Sequence, residues 1–419
     1  MARLRSQTDL ITSGSLITST TAPAGVSLGT RWLNAGTGVL YQRTANVDGS
    51  LFWLDISSGG IGVSANRGVD FVGDIDPHKA TNGSGLAVGS VYYNREKNRH
   101  FICTDATSSA NVWSGRYDGA GGTVTDYLLS GTYYRVHTFL SSSTFTVEKA
   151  TTVHYLVVAG GGGGSSDGAT TGGAGGGAGG MLTSSGTSGG GASARSALSM
   201  AAGAVYTITI GNGGIGHTSR TDTGANGGNS SISGAGITDV VATGGGRAGW
   251  TQGANAPSGG GSAGGSQYNG EGGNAIGSPT QGYDGWTLTG NSPSVSRLPG
   301  GGGGGAGGVG GAAVASTGGN GGIALTNSLR TGSAVYYAGG GGGGLYGAGT
   351  RAGYGGGTTT TANKGGGGNG GLVNNNIKGD DGLANSGGGG GGSSLQTNTN
   401  APRGGSGGSG IVVLRYALS

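Results

Sequence analysis

The chain has 419 residues and a formal net charge of +4, but only 10% of its residues are charged and no run of Lys or Arg stands out, so a nucleic-acid groove is not expected. Glycine supplies 109 residues, 90 of them after Val158, a collagen-like share; without a Gly-X-Y period, and with seven prolines in all, a collagen triple helix is excluded. The single cysteine, Cys103, excludes an intramolecular disulfide and a cysteine-based metal cluster, and suits folding in a reducing cytoplasm.

The N-terminal Met1-Ala-Arg-Leu-Arg-Ser carries two arginines without an apolar stretch behind them. Nowhere do the ~18 apolar residues of a membrane span run together. Neither a secretion signal nor membrane insertion is expected, and residues 1–22 read as an attachment segment. A repeat follows. Leu28-Gly29-Thr30-Arg31-Trp32-Leu33-Asn34 aligns without gaps on Val88-Gly89-Ser90-Val91-Tyr92-Tyr93-Asn94, sixty positions on, and the register holds through Tyr41 with Phe101 and Trp53 with Trp113. Each copy, 23–60 and 61–120, reads as a β-meander. A strand ends near the Asn, a tight turn follows (Asn34-Ala-Gly-Thr-Gly or Asn94-Arg-Glu-Lys-Asn), then a second apolar strand and a Trp-bearing third. Units this small have no independent core and need neighbours, either each other or symmetry mates.

Residues 121–150 read as a β joint, with strands at Tyr133 to Phe139 and Thr144 to Val147 joined by Leu140-Ser-Ser-Ser. The glycine-rich domain, 151–419, opens with the β-branched run Thr152 to Val158 and closes with Ile411 to Tyr416. These two are expected to pair and close the domain at its base. Glycine tracts lie between them, among them Gly160 to Gly164, Gly300 to Gly305, Gly339 to Gly344 and Gly387 to Gly392. A flexible linker would not contain Ala204-Val-Tyr-Thr-Ile-Thr-Ile or Ser333-Ala-Val-Tyr-Tyr.

If the tracts are ordered, no glycine side chain offsets the ~1–2 kcal/mol per residue of backbone entropy. Backbone hydrogen bonding and close packing must do so. Polyglycine II helices meet that need, since three residues per turn leave every N–H and C=O pointing outward for a neighbour. Any buried Cβ would push neighbours apart, so Ala-bearing runs such as Gly172 to Gly180 are expected toward the edges. The fold class is therefore mainly β and irregular: N-terminal β-meander modules, then packed polyglycine II helices closed by short β-strands, with little or no α-helix.

The repeats from about Pro23 to Tyr117 resemble small modules of phage tail fibres, although Trp32, Trp53 and Trp113 also read as ordinary anchors of any β-meander. Val-His-Tyr-Leu-Val-Val-Ala-Gly-Gly-Gly-Gly-Gly at Val153 to Gly164, Tyr-Thr-Ile-Thr-Ile-Gly-Asn-Gly-Gly at Tyr206 to Gly214 and Gly-Gly-Ser-Gly-Ile-Val-Val-Leu-Arg-Tyr at Gly407 to Tyr416 resemble the glycine-rich domain of phage tail-fibre and virion structural proteins. The architecture is also similar to tail-fibre tip adhesins of T-even-like phages. The resemblance implies a virion protein assembled in the host cytoplasm, trimeric as fibres commonly are. Its N-terminal part would join other tail proteins, and its loops would meet a bacterial surface receptor, an outer-membrane protein or a glycan. The alternative is a purely structural virion component, a capsid or tail decoration or connector, without a receptor.

No catalytic constellation, metal site or cofactor motif is evident, and the protein is not expected to be an enzyme. His78, His100, His137, His154 and His217 lack metal-ligand spacing. Asp74 and Asp76 beside Pro77 read as turn formers before they read as glycan-cleaving acids. The Gly-x-Gly-x-x-Gly matches carry no information without a βαβ unit. Candidate receptor-binding residues are aromatics set among Gly, Asn, Thr and Ser: Trp250, Tyr268, Tyr283, Trp286, Tyr346 and Tyr354, with Asp284 in the preferred loop Tyr283-Asp284-Gly285-Trp286. They read equally as covers for the flanks of the glycine array.

Overall fold

A computed structural model describes residues 16–26, 31–35, 40–45, 51–55, 69–83, 85–115, 117–166, 171–219, 224–249, 261–266, 273–276, 280–287, 299–314, 316–346, 352–357, 364–372, 377–394 and 403–418. The chain divides into two units, Met1–Tyr117 with Leu418–Ser419, and Asp118–Ala417. No α-helix occurs among the described residues, and the chain is mainly strand and irregular backbone.

The first unit contains two four-stranded sheets of the same topology. β1 (Leu16–Ser19), β2 (Arg31–Asn34), β3 (Leu40–Ala45) and β4 (Leu51–Asp55) form one; β5 (Phe71–Gly73), β6 (Val91–Asn94), β7 (Arg99–Asp105) and β8 (Val112–Gly115) form the other. The last three strands of each are the meander that the sixty-residue offset specifies. Each sheet also has a first strand that the repeat did not reveal, lying parallel to the second, with Ile17 opposite Trp32 and Phe71 opposite Tyr92. β1 thus falls within 1–22, so part of the expected attachment segment belongs to the first sheet. The same bond secures both copies: Ala35 N donates to Ser19 O and Arg95 N to Gly73 O, each at 2.9 Å. Side chains of β3 and β4, Trp53 included, lie outside the described residues.

The connection before β6 holds Asp74 and Asp76, and both are engaged in ion pairs. Asp76 is fully buried, accepts from Asn94 Nδ2 at 2.7 Å and pairs with Arg99, with Lys97 Nζ at 3.6 Å. Burying a carboxylate is costly unless it is paired and hydrogen-bonded in this way. Asp74 is exposed and forks onto Arg95 at 2.8 Å. Beneath them Tyr92 meets Trp113 edge to face at 5.7 Å, over fully buried Phe101 and Cys103.

The second unit begins at Asp118, so residues 121–150 are not a separate joint. Its strands are β9 (Gly119–Ala120), β10 (Thr123–Leu129), β11 (Thr132–Phe139), β12 (Ser143–Val147), β13 (Thr151–Val158), β14 (Met181–Thr183), β15 (Leu198–Met200), β16 (Val205–Thr209), β17 (Ser230–Ser233), β18 (Val240–Ala242), β19 (Leu325–Asn327), β20 (Val335–Tyr337) and β21 (Ile411–Ala417). One sheet runs β10-β11-β21-β13-β14 with β15 also on β13; another runs β18-β17-β16-β12-β9; β19 and β20 form a hairpin. The expected pairing of the two β-branched runs is present: β13 and β21 are antiparallel, His154 opposite Arg415 through Val158 opposite Ile411. On its other side β21 pairs with β11, which draws the former joint into this unit.

β11 and β12 part into different sheets, whose side chains meet where His137 and Phe139 pack on Phe145, with centroids 5.0 and 6.4 Å apart. His137 is fully buried. Its Nδ1 lies 2.6 Å from the Gly121 carbonyl, which only accepts, so Nδ1 carries the proton and Nε2 is left to accept from the Tyr416 hydroxyl at 3.3 Å. Burial, reinforced by nearby Arg135, lowers the His137 pKa to about 4. Between the unfolded value of 6.5 and about 4 the unfolded chain binds the proton and the folded one does not. Stability is therefore full above that window and lost as pH falls through it, by about 3 kcal/mol at most. Urea unfolding at stepped pH is expected to show this slope and His137→Gln to flatten it; equal slopes in the two proteins would refute the assignment.

Between the sheets and the far end of the unit lies a lattice of glycine segments. In 160–165, N–H groups of residues 161, 162 and 163 donate to Gly408, Gly177 and Ala225 at 2.9, 2.8 and 3.0 Å, and those of 164 and 165 return to the first two neighbours at Gly405 and Ala174. Partners recur every third residue, and none of Gly160 to Gly164 has positive φ. These are the features of a left-handed threefold helix. The carbonyls of 160, 161 and 162 accept from Gly245, Gly214 and Gly390. Three donating and three accepting directions give this helix six neighbours. A Cβ on Gly162 would land on the Gly246 carbonyl, and one on Gly163 on that of Ile215, which is why the position excludes every other residue.

The 172–180 run, expected at the edge because of its alanines, is interior. It bonds 387–393, 301–304, 243–246, 162–165, 341–344 and 262–265, and Ala174 and Ala178 are fully buried. Ala178 is tolerated because its methyl joins the apolar cluster at the sheet end of the lattice, with Val136, Leu156, Val158, Met181 and Tyr337. The Ala174 N–H is taken by Ser165 Oγ at 2.7 Å, at the other end of the row.

Candidate functional site

The lattice has two unlike ends. At one, rows run into β13, β14, β16, β17, β18 and β21. At the other, Ser165 donates to the Ala174 carbonyl at 2.9 Å, Ser393 to Ser165 at 3.1 Å, and Gly404 to His217 at 2.9 Å. His217 is buried there, and its Nε2 lies 3.2 Å from the Ala248 carbonyl. Crossings leave this end and return to it after Ser166, Ser219, Ser266, Thr287, Tyr346, Leu372 and Ser394, with the intervening residues outside those described.

The sequence candidates do not form one patch. Trp250 and Tyr268 lie outside the described residues. Tyr283 to Trp286, expected as a loop, is a peripheral row of the lattice. Tyr283 N donates to Gly305 O at 3.1 Å and Trp286 N, three residues on, to Gly302 O at 2.9 Å. The Trp286 ring lies against Gly301, where a Cβ would strike it, and the Tyr283 hydroxyl ends beside Gly191. Both are half-buried and cover the flank. Asp284 is exposed, and its Oδ1 accepts from Ala275 N at 2.6 Å. Tyr346 is half-buried where the 339–344 tract ends. Tyr354 lies on another row, bonded to 319–321 and 340–343, with 300–305 and a further row between it and Trp286.

Tyr354 borders a groove of about 180 Å³, lined also by Asn369, Gly370, Leu372, Ile377 and Asp380. Its walls are fixed by side chains. Asn320 Oδ1 accepts from Tyr354 N and Asn369 Oδ1 from Gly355 N, each at 3.0 Å. Asn369 Nδ2 donates to Asp380 Oδ2 at 3.1 Å. Buried Ser394 donates through Oγ to Leu372 O at 2.7 Å and through its backbone to Ile377 O at 3.0 Å. Sequence reasoning singled out only Tyr354 here. Asn226, Asn320 and Asn369 each precede a glycine and each stand in for a lattice carbonyl by accepting a neighbour's N–H, a recurrence that was open to inspection.

Among the described residues no group of His, Cys, Asp and Glu could hold a metal ion, and no helix is long and apolar enough to cross a membrane. Residues 138–417 match the family described as a glycine-rich domain. That span is two-thirds of the chain, which therefore belongs to this family; it starts within β11 and stops with β21. No curated protein matches the chain.

Proposed function

We propose that this member of the glycine-rich domain family is a phage tail-fibre protein acting in host-cell surface recognition and adhesion. The observation that carries the reading is the asymmetry of the lattice. One end is tied into sheets, while crossings of unequal length return at the other, on a support made of backbone and independent of their side chains. Binding residues on such a rigid frame lose little freedom on contact. In this reading the first unit holds the chain to the particle, or to its own copies in a homotrimer, and the far end meets a bacterial surface molecule. The flank-covering position of Trp286 favours the other reading, a structural virion component, for that residue alone.

The test is adhesion of the fluorescently labelled full chain to a panel of intact bacteria, beside a variant whose residues 395–402 are replaced by a Gly-Ser segment of the same length. Binding restricted to certain strains and weakened about tenfold or more in the variant is the expected result. A folded chain that adheres to no strain would leave the structural role standing.

A further inference from the structure

We propose that the groove beside Tyr354 binds one neutral sugar ring of a surface saccharide; this rests on the surface-recognition reading and gives it a ligand class and a place. Its volume, about 180 Å³, is below the ~300 Å³ at which small-molecule pockets ordinarily begin, which limits an occupant to about one ring.

The chemistry of the walls is divided as a pyranose requires. Such a ring has apolar C–H faces and a rim of hydroxyl donors. Half-buried Tyr354 supplies a rigid aromatic surface. Leu372 and Ile377 are 59% and 40% exposed, beyond what any core accounts for. Asp380 supplies the acceptor: Asn369 holds its Oδ2, and Oδ1 accepts no hydrogen bond among the described residues. A hydroxyl donating to it makes a charge-assisted bond. Lys378 also lines the groove, but both Asp381 oxygens hold its ammonium at 2.8 Å. The charge left is the single negative of Asp380, which disfavours an acidic sugar.

The groove is also held in shape before any ligand arrives. Its floor includes Gly370 and Gly371, and a Cβ on either would strike backbone, the carbonyl of Gly343 or of Ile377. Asn369 ties the Tyr354 row to Asp380, and Ser394 ties Leu372 to Ile377, at the distances given above. A site fixed this way loses little freedom on binding.

The test is saturation-transfer difference NMR on the full chain with glucose, galactose and N-acetylglucosamine, and with sialic acid as the anionic comparison. At least one neutral sugar is expected to receive saturation, strongest at its ring C–H protons, and sialic acid none. Tyr354→Ala and Asp380→Asn are each expected to weaken that sugar about tenfold, with Tyr354→Phe retaining affinity and melting temperatures unchanged. No transfer to any neutral sugar, or unaltered affinity in folded Tyr354→Ala and Asp380→Asn, overturns the proposal. If the sugars fail while the chain still adheres to bacteria, the groove assignment alone falls. Sugar binding by a chain that adheres to no cell supports the groove and removes the adhesin reading.

Discussion

Replacing Gly162 by alanine is expected to destabilise the second unit by about 4 kcal/mol or more, lowering its melting temperature by about 10 °C. Gly162 donates to Gly177 and accepts from Gly390 at 2.8 and 2.9 Å, and its new Cβ would land on the Gly246 carbonyl. Overpacking an ordinary core costs ~1–3 kcal/mol because side chains can move aside. Here the obstacle is another row's backbone, and displacing it strains further bonds, each costing ~1–3 kcal/mol if left buried and unmade. Gly131→Ala is the comparison. Gly131 has φ of 83° and open space around its Cβ direction, so it should cost only the ~1–2 kcal/mol of left-handed backbone. Calorimetry on both variants decides the matter; similar losses would mean that the lattice yields as a side-chain core does.

Deleting residues 411–419 is expected to leave the second unit unfolded. β21 stands between β11 and β13, paired along both edges from Phe139 opposite Val412 to His154 opposite Arg415. Without it two strands face each other across an empty place, and Val136, Leu156 and Val158 lose Ile411 and Val413 from their cluster. A synthetic 410–419 peptide should restore the transition when added in excess, because the lost strand makes its contacts through side chains and backbone bonds, not through its covalent link. A truncated chain that keeps its cooperative calorimetric transition would refute the central role of β21.

What the sequence disclosed depended on the range of each interaction. The sixty-residue offset located β2 to β4 and β6 to β8 because hairpins are local. It missed β1 and β5, whose parallel partners lie beyond long connections, and in which Ile17 and Phe71 stand 54 positions apart while Trp32 and Tyr92 stand 60 apart. The β-branched runs disclosed the β13–β21 pairing, and glycine sterics disclosed the lattice. The same sterics misplaced Ala174 and Ala178, since a methyl can point at the cluster or at a row's end instead of at a neighbouring backbone. Tyr283 to Trp286 looked like a loop because its side chains are large, but a row needs only its N–H and C=O groups at a spacing of three. The groove left no continuous trace, as Tyr354, Asn369, Leu372, Ile377 and Asp380 come from three separate rows.

The lattice has a thermal consequence. Unfolding an ordinary core exposes apolar surface, which raises the heat capacity by roughly 12–15 cal/mol/K per residue overall, whereas exposed peptide groups lower it. The interior of 160–165 and 172–180 is almost wholly peptide, walled by other peptide. The heat-capacity increment per residue of this unit should be small, and its stability curve broad and shallow. A protein carrying such a unit would keep nearly the same margin of stability in the cold as in the warm.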